Sequence, residues 1–84
     1  MIEAPDFLPL GSVVSLKGNP KTLMIVGRGV VLAPEQEKEY YDYGLVLYPE
    51  GLVGDAALFA QHEQIETVHY EGYVDEANDA WMHQ

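Results

Sequence analysis

The sequence contains no cysteine, which excludes a disulfide staple and any thiolate metal site. Small secreted domains commonly depend on such staples, so the cytoplasm is the expected compartment. The opening Met1–Asp6 is acidic and has no apolar stretch, so no signal peptide is expected. No apolar run approaches the roughly 20 residues that cross a bilayer as a helix. Serine is scarce: Ser12 and Ser15 are the only ones, and no Gly-x-Ser-x-Gly elbow exists. Basic residues are scarcer still for a chain of 84, being limited to Lys17, Lys21, Arg28 and Lys38.

Against these stand 14 acids, for a formal charge of −10. The first 38 residues are neutral, whereas residues 39–84 hold ten acids and neither Lys nor Arg. Phosphate backbones bind cationic surfaces, so a nucleic-acid partner is not expected. An anionic membrane repels the same surface, so none is expected there either. The acids either keep a small protein soluble or steer a basic partner onto it.

The length suits one domain over 1–84, burying about 60–65% of the surface of its unfolded chain. Residues 1–9 form an irregular lead-in, because Pro5 and Pro9 deny ladder donors while Phe7 and Leu8 can tuck against a core. Ser12–Lys17 reads as a strand with Val14 and Leu16 on one face. The Gly18-Asn19-Pro20-Lys21 turn leads into a second strand, Thr22–Leu32. Its Leu23–Val26 run suggests burial on both faces or a sharply twisted strand, and Gly27-Arg28-Gly29 marks a bulge or a tight bend. Ala33–Lys38 is a loop, and Glu39–Tyr48 a strand that is apolar or aromatic on both faces. Asp55 either caps a short helix over Ala56–Ala60 or precedes a strand over Ala57–Ala60. Gln61–Glu66 reads as a helical turn anchored by Ile65, and Thr67–Tyr73 as a strand with Val68 and Tyr70 inward. Residues 75–84 form a terminal helix capped by Asp75 or a flexible tail. The expected fold is mainly β (α+β), a small curled antiparallel sheet or SH3-like barrel of four to five strands with one or two short helices.

The chemistry-bearing residues are sparse. Gly27-Arg28-Gly29 lacks the third glycine and the helix of a phosphate cradle. Arg28, alone of its kind on an acidic chain, is expected to pair with a carboxylate. His62 and Glu66 share a face if their turn is helical, but a closed metal site needs more ligands than this. His62 is expected to cap or pack at a turn, and His69 to lie on a strand surface. No catalytic residue, metal or cofactor is therefore assigned. Tyrosine, in contrast, is abundant, with 6 residues. About half are expected in the core. A protein-contact patch rimmed by acids is expected from Tyr40, Tyr43, Tyr48, Glu71, Tyr73, Asp75, Trp81 and Met82. Exposed strand edges offer a route to pairing two copies, and the residues do not choose between one copy and two.

Four segments then stand in a familiar order. They are Leu10–Gly18, Leu23–Arg28, Tyr41-Asp42-Tyr43 with Leu47–Gly51, and Phe59 with His62–Ile65, Val68 and Tyr70–Tyr73. Over residues 8–75 the chain resembles a family of small Gram-positive bacterial proteins, domain of unknown function number 4176. Members tend to be encoded beside type VII secretion effectors, especially LXG-type toxins. The resemblance implies a non-catalytic cytosolic chaperone or adaptor that binds such an effector or a companion helical protein. The alternatives are an immunity protein that neutralises a cognate toxin and, further off, a small metal- or ligand-binding enzyme. Glycine and proline in Tyr48-Pro49-Glu50-Gly51 and Glu71-Gly72-Tyr73 are expected to fix backbone shape.

Overall fold

Runs that alternate in polarity form strands, and turns rich in glycine and proline let them fold back on one another. The computed structural model describes residues 7–32 and 38–82. Its strands are β1 (Val13–Leu16), β2 (Thr22–Leu32), β3 (Glu39–Leu47), β4 (Leu58–Ala60) and β5 (Ile65–Tyr70), followed by one helix, α1 (Glu76–Met82). They make a single antiparallel sheet in the order β4-β3-β2-β1-β5. The expected mainly-β class is thus what the chain adopts, as an open sheet with β4 and β5 at its edges. No helix among the described residues is long and apolar enough to cross a membrane.

The strand period divides the sheet into a covered and an uncovered face. Val14, Leu23, Ile25, Tyr43, Leu45 and Ala60 are fully buried on the covered face. Burying side chains of the Val, Leu or Ile kind stabilises the fold by about 1.5–3 kcal/mol each. The cover is the irregular Phe7–Pro9 segment together with Trp81 of α1. Phe7 bridges the two layers, with ring centroids 5.6 Å from Tyr43 and 5.7 Å from Trp81. These spacings suit tilted aromatic pairs. Phe7 therefore tucks in as the sequence implies; residues 1–6, residues 33–37 of the expected loop and residues 83–84 of the expected terminal segment lie outside the described residues.

A bulge shifts the β2–β3 register between Ile25 and Gly27, as the glycines foretell. In the Tyr-Pro-Glu-Gly turn Gly51 has φ +81°, a left-handed conformation that favours glycine, and its N–H donates to the Leu47 carbonyl at 2.7 Å. Gly72 is required for space: a methyl there collides with the Leu10 carbonyl. Its N–H donates to Ser12 Oγ at 3.0 Å, and that hydroxyl donates to the Pro9 carbonyl at 2.7 Å. Both motifs thus shape the backbone.

Several local expectations are overturned. Leu23–Val26 is not buried on both faces, since Leu23 and Ile25 are buried while Met24 is only partly so and Val26 is half exposed. Of the two readings of residues 56–60, the strand is the one adopted: Leu58–Ala60 pairs with β3, placing Ala60 opposite Tyr43. Pairing with the free edge of β3 satisfies more backbone than one isolated helical turn. The helical turn is confined to His62–Gln64, and Ile65 opens β5 instead of anchoring that turn. Val68 and Tyr70 are exposed, because the cover does not extend over the β5 edge among the described residues. Asp75 does cap α1, its carboxylate accepting the Asn78 N–H at 3.0 Å.

Candidate functional site

Paired residues of neighbouring strands point to the same face of a sheet. The registers Tyr70↔Val13, Val13↔Met24 and Met24↔Val46 therefore align an apolar row across β5, β1, β2 and β3 on the uncovered face. Val46, at the β3 end of the row, is buried, and Tyr48 stands half exposed just beyond β3. Val13, Met24, Tyr48, His69 and Tyr70, with Gly11 and Thr22, line an open groove of about 650 Å³. Its lining is mostly apolar, with two tyrosines that offer large area and a polar tip. Ser15 Oγ and His69 Nε2 lie 2.7 Å apart and tie β1 to β5. A serine beside a histidine is the start of a nucleophile–base pair, but no carboxylate bonds to His69 among the described residues, so the contact is read as a cross-strand tie.

A second, smaller hollow of about 440 Å³ lies where α1 meets the sheet, lined by Leu10, Arg28, Tyr73, Asp75, Ala77, Asn78 and Trp81. The Arg28 guanidinium sits 4.0 Å from the centroid of the Trp81 ring and donates to Asn78 Oδ1 at 2.7 Å. The expected carboxylate partner is thus replaced by an indole face and an amide. A planar guanidinium can stack and hydrogen-bond at once, which ties α1 to β2. Burial lowers the Arg28 pKa, with an opposing contribution from Tyr43.

Beneath the surface runs a polar network. Leu8 N–H donates to the Tyr43 hydroxyl at 2.8 Å, and that hydroxyl lies 2.7 Å from His62 Nδ1. The His62 N–H donates to Asp42 Oδ2 at 2.8 Å. Gln61 clamps the same strand, accepting from Asp42 N–H at 3.2 Å and donating to the Tyr40 carbonyl at 2.7 Å. Asp42, only 5% exposed, and Tyr43, fully buried, are joined to the turn that carries His62. No cluster of three or more His, Asp or Glu side chains among the described residues is placed to hold a metal.

The residues singled out for partner contact are therefore scattered. Tyr48 lines the groove on the open face, while Tyr73, Asp75 and Trp81 meet at the smaller hollow. Tyr40 and Glu71 are exposed elsewhere, and partial burial with Asp42 nearby raises the Tyr40 pKa. Tyr43 is corrected: it belongs to the core, where its hydroxyl joins three segments of chain. Met82 ends α1, and its side chain lies outside the described residues. Half the tyrosines were expected inside, yet Tyr43 alone is fully buried and Tyr41 partly so. Sequence reasoning missed Val13, Met24, His69 and Tyr70. The alternation opposite Val14 was the available signal for Val13; cross-strand register was needed for the others.

A family model described as Domain of unknown function (DUF4176) matches residues 7–81. The chain belongs to this family. The DUF4176 match spans every strand of the sheet and α1 as far as Trp81, so it takes in the open-face groove and the Arg28 hollow. Comparison with curated proteins returned no match, and comparison with solved structures returned none.

Proposed function

We propose that the protein is a non-catalytic accessory protein that binds another protein on the uncovered face of its sheet. The observation that carries this reading is the apolar row from Tyr70 through Val13 to Met24, which is exposed or partly exposed and lines the open groove. An exposed apolar groove rimmed by polar residues is what a docking site requires. The resemblance to a family encoded beside LXG-type toxins points to a type VII secretion effector as the partner. In that role the protein acts in the cytoplasm as a chaperone or adaptor that holds the effector before export.

The test is co-expression with the LXG effector of the same gene cluster, followed by size-exclusion chromatography. The expected result is co-elution at equal stoichiometry, lost in a Val13→Asp, Met24→Asp double variant that remains folded by circular dichroism. A folded double variant that binds as the wild type does would refute the open-face reading. Rescue of cells from the isolated toxin domain, with no binding to the LXG region, would instead favour an immunity protein.

A further inference from the structure

β5 ends the sheet on the side of β1, so one of its two edges is paired and the other has no strand partner among the described residues. Such an edge offers N–H and C=O groups to any extended chain that reaches it. Proteins commonly blunt long edges with proline, with lysine or by shortening the strand. β4, at the opposite end, is shortened to Leu58–Ala60. β5 keeps the length of Ile65–Tyr70 and contains neither proline nor lysine, although its pairing with β1 carries two register shifts, at Glu66 and His69. It is also exposed from Glu66 onward.

Charge decides which chain can use that edge. Glu63, Glu66 and Glu71 stand in or beside β5, and residues 39–84 hold no Lys or Arg to offset them. Lys17 is stationed at one end, its N–H bonded to the Gln64 carbonyl. A second copy of this chain, with a formal charge of −10, would bring like charge against like. A strand carrying alternating basic and apolar residues brings the opposite sign, and its apolar side chains extend the row that begins at Tyr70 and Val13.

We infer that the free edge of β5 is a strand-addition site for an extended, lysine- or arginine-bearing segment of the partner protein. This rests on the protein-binding reading above and specifies its geometry. Main-chain hydrogen bonds along Ile65–Tyr70 hold the added strand. The glutamates select its charge, and the groove beside Val13 and Tyr70 takes its apolar side chains.

The experiment uses the full chain and synthetic hexapeptides of alternating lysine and valine, observed by amide NMR. The expected result is saturable binding with shifts centred on Ile65–Tyr70 and slowed exchange of the outward-facing β5 amides. N-methylation of alternate peptide bonds should abolish binding without altering the protein. The glutamate–valine counterpart should bind about tenfold more weakly or worse at low salt. Absence of binding, shifts centred on α1, or indifference to N-methylation would each overturn the inference. If the effector still co-elutes and needs Val13 and Met24 while the β5 amides stay unprotected, the edge proposal fails and the open-face reading stands. If the effector does not bind at all, the reading beneath it fails.

Discussion

Replacing Tyr43 by phenylalanine removes one oxygen from the interior and keeps the ring. The Phe7 contact at 5.6 Å and the core volume are retained, so no cavity term enters. What is lost is the hydroxyl that accepts from Leu8 N–H at 2.8 Å and meets His62 Nδ1 at 2.7 Å. A buried group left without its partner costs about 1–3 kcal/mol. Both partners here are partly buried and water can reach them, so about 1 kcal/mol for each and about 2 kcal/mol in all is expected. In a domain of this size 1 kcal/mol shifts the melting temperature by about 4–8 °C, so a fall of roughly 8–16 °C follows. Thermal unfolding by circular dichroism at pH 7 reads it, with Tyr73→Phe as control because Tyr73 is 78% exposed. The control should move by no more than about 4 °C, as surface changes do. A Tyr43→Phe shift no larger than the control's would refute the view that this hydroxyl ties the lead-in, β3 and the His62 turn together.

Substitutions at three other positions probe separate parts of the structure. Gly72→Ala forces a methyl against the Leu10 carbonyl and disturbs the Ser12 bond, so a loss of about 3 kcal/mol or more is expected in urea unfolding. Arg28→Ala removes the stacking on Trp81 and the Asn78 bond; Trp81 fluorescence should shift to the red and helical circular dichroism should fall. Arg28→Lys should restore only part of both signals, because an ammonium cannot stack and fork as a guanidinium does. The hydrogen bond from Lys21, at 2.8 Å, is the main cause that holds the Glu50 carboxyl below its ordinary pKa of 4.5. A depressed folded pKa gives stability that is present above the unfolded value and lost as pH falls through the folded one. The stability difference between wild type and Glu50→Gln should therefore be constant above about pH 5 and shrink at more acidic pH. A difference that grows on acidification would contradict the ion pair.

The sequence made β1, β2 and β3 legible because their apolar residues alternate or run in β-branched and aromatic stretches and glycine or proline stands near their boundaries. β4 was ambiguous for a physical reason: three residues are too few to distinguish a period of two from one of 3.6, and pairing with β3 decided the matter. The reversal at Val68 and Tyr70 has a different origin. Their alternation was read correctly as strand, but whether an edge strand is covered depends on where Phe7–Pro9 and α1 come to rest. Arg28 illustrates the same limit. Its partners Asn78 and Trp81 lie 50 or more positions away, where local pattern has nothing to say. Tyr48 was expected at a protein-contact patch and stands half exposed, whereas the groove it lines needed the β1–β2 and β1–β5 registers to be seen.

The central claim is that the uncovered face of the sheet binds another protein. Amide hydrogen exchange on the full chain, alone and in complex with the LXG effector, tests it most directly. Added protection is expected along β1, the start of β2 and β5, with α1 unchanged. Protection confined to α1 and the Arg28 hollow, with β1 and β5 exchanging as in the free protein, would contradict it.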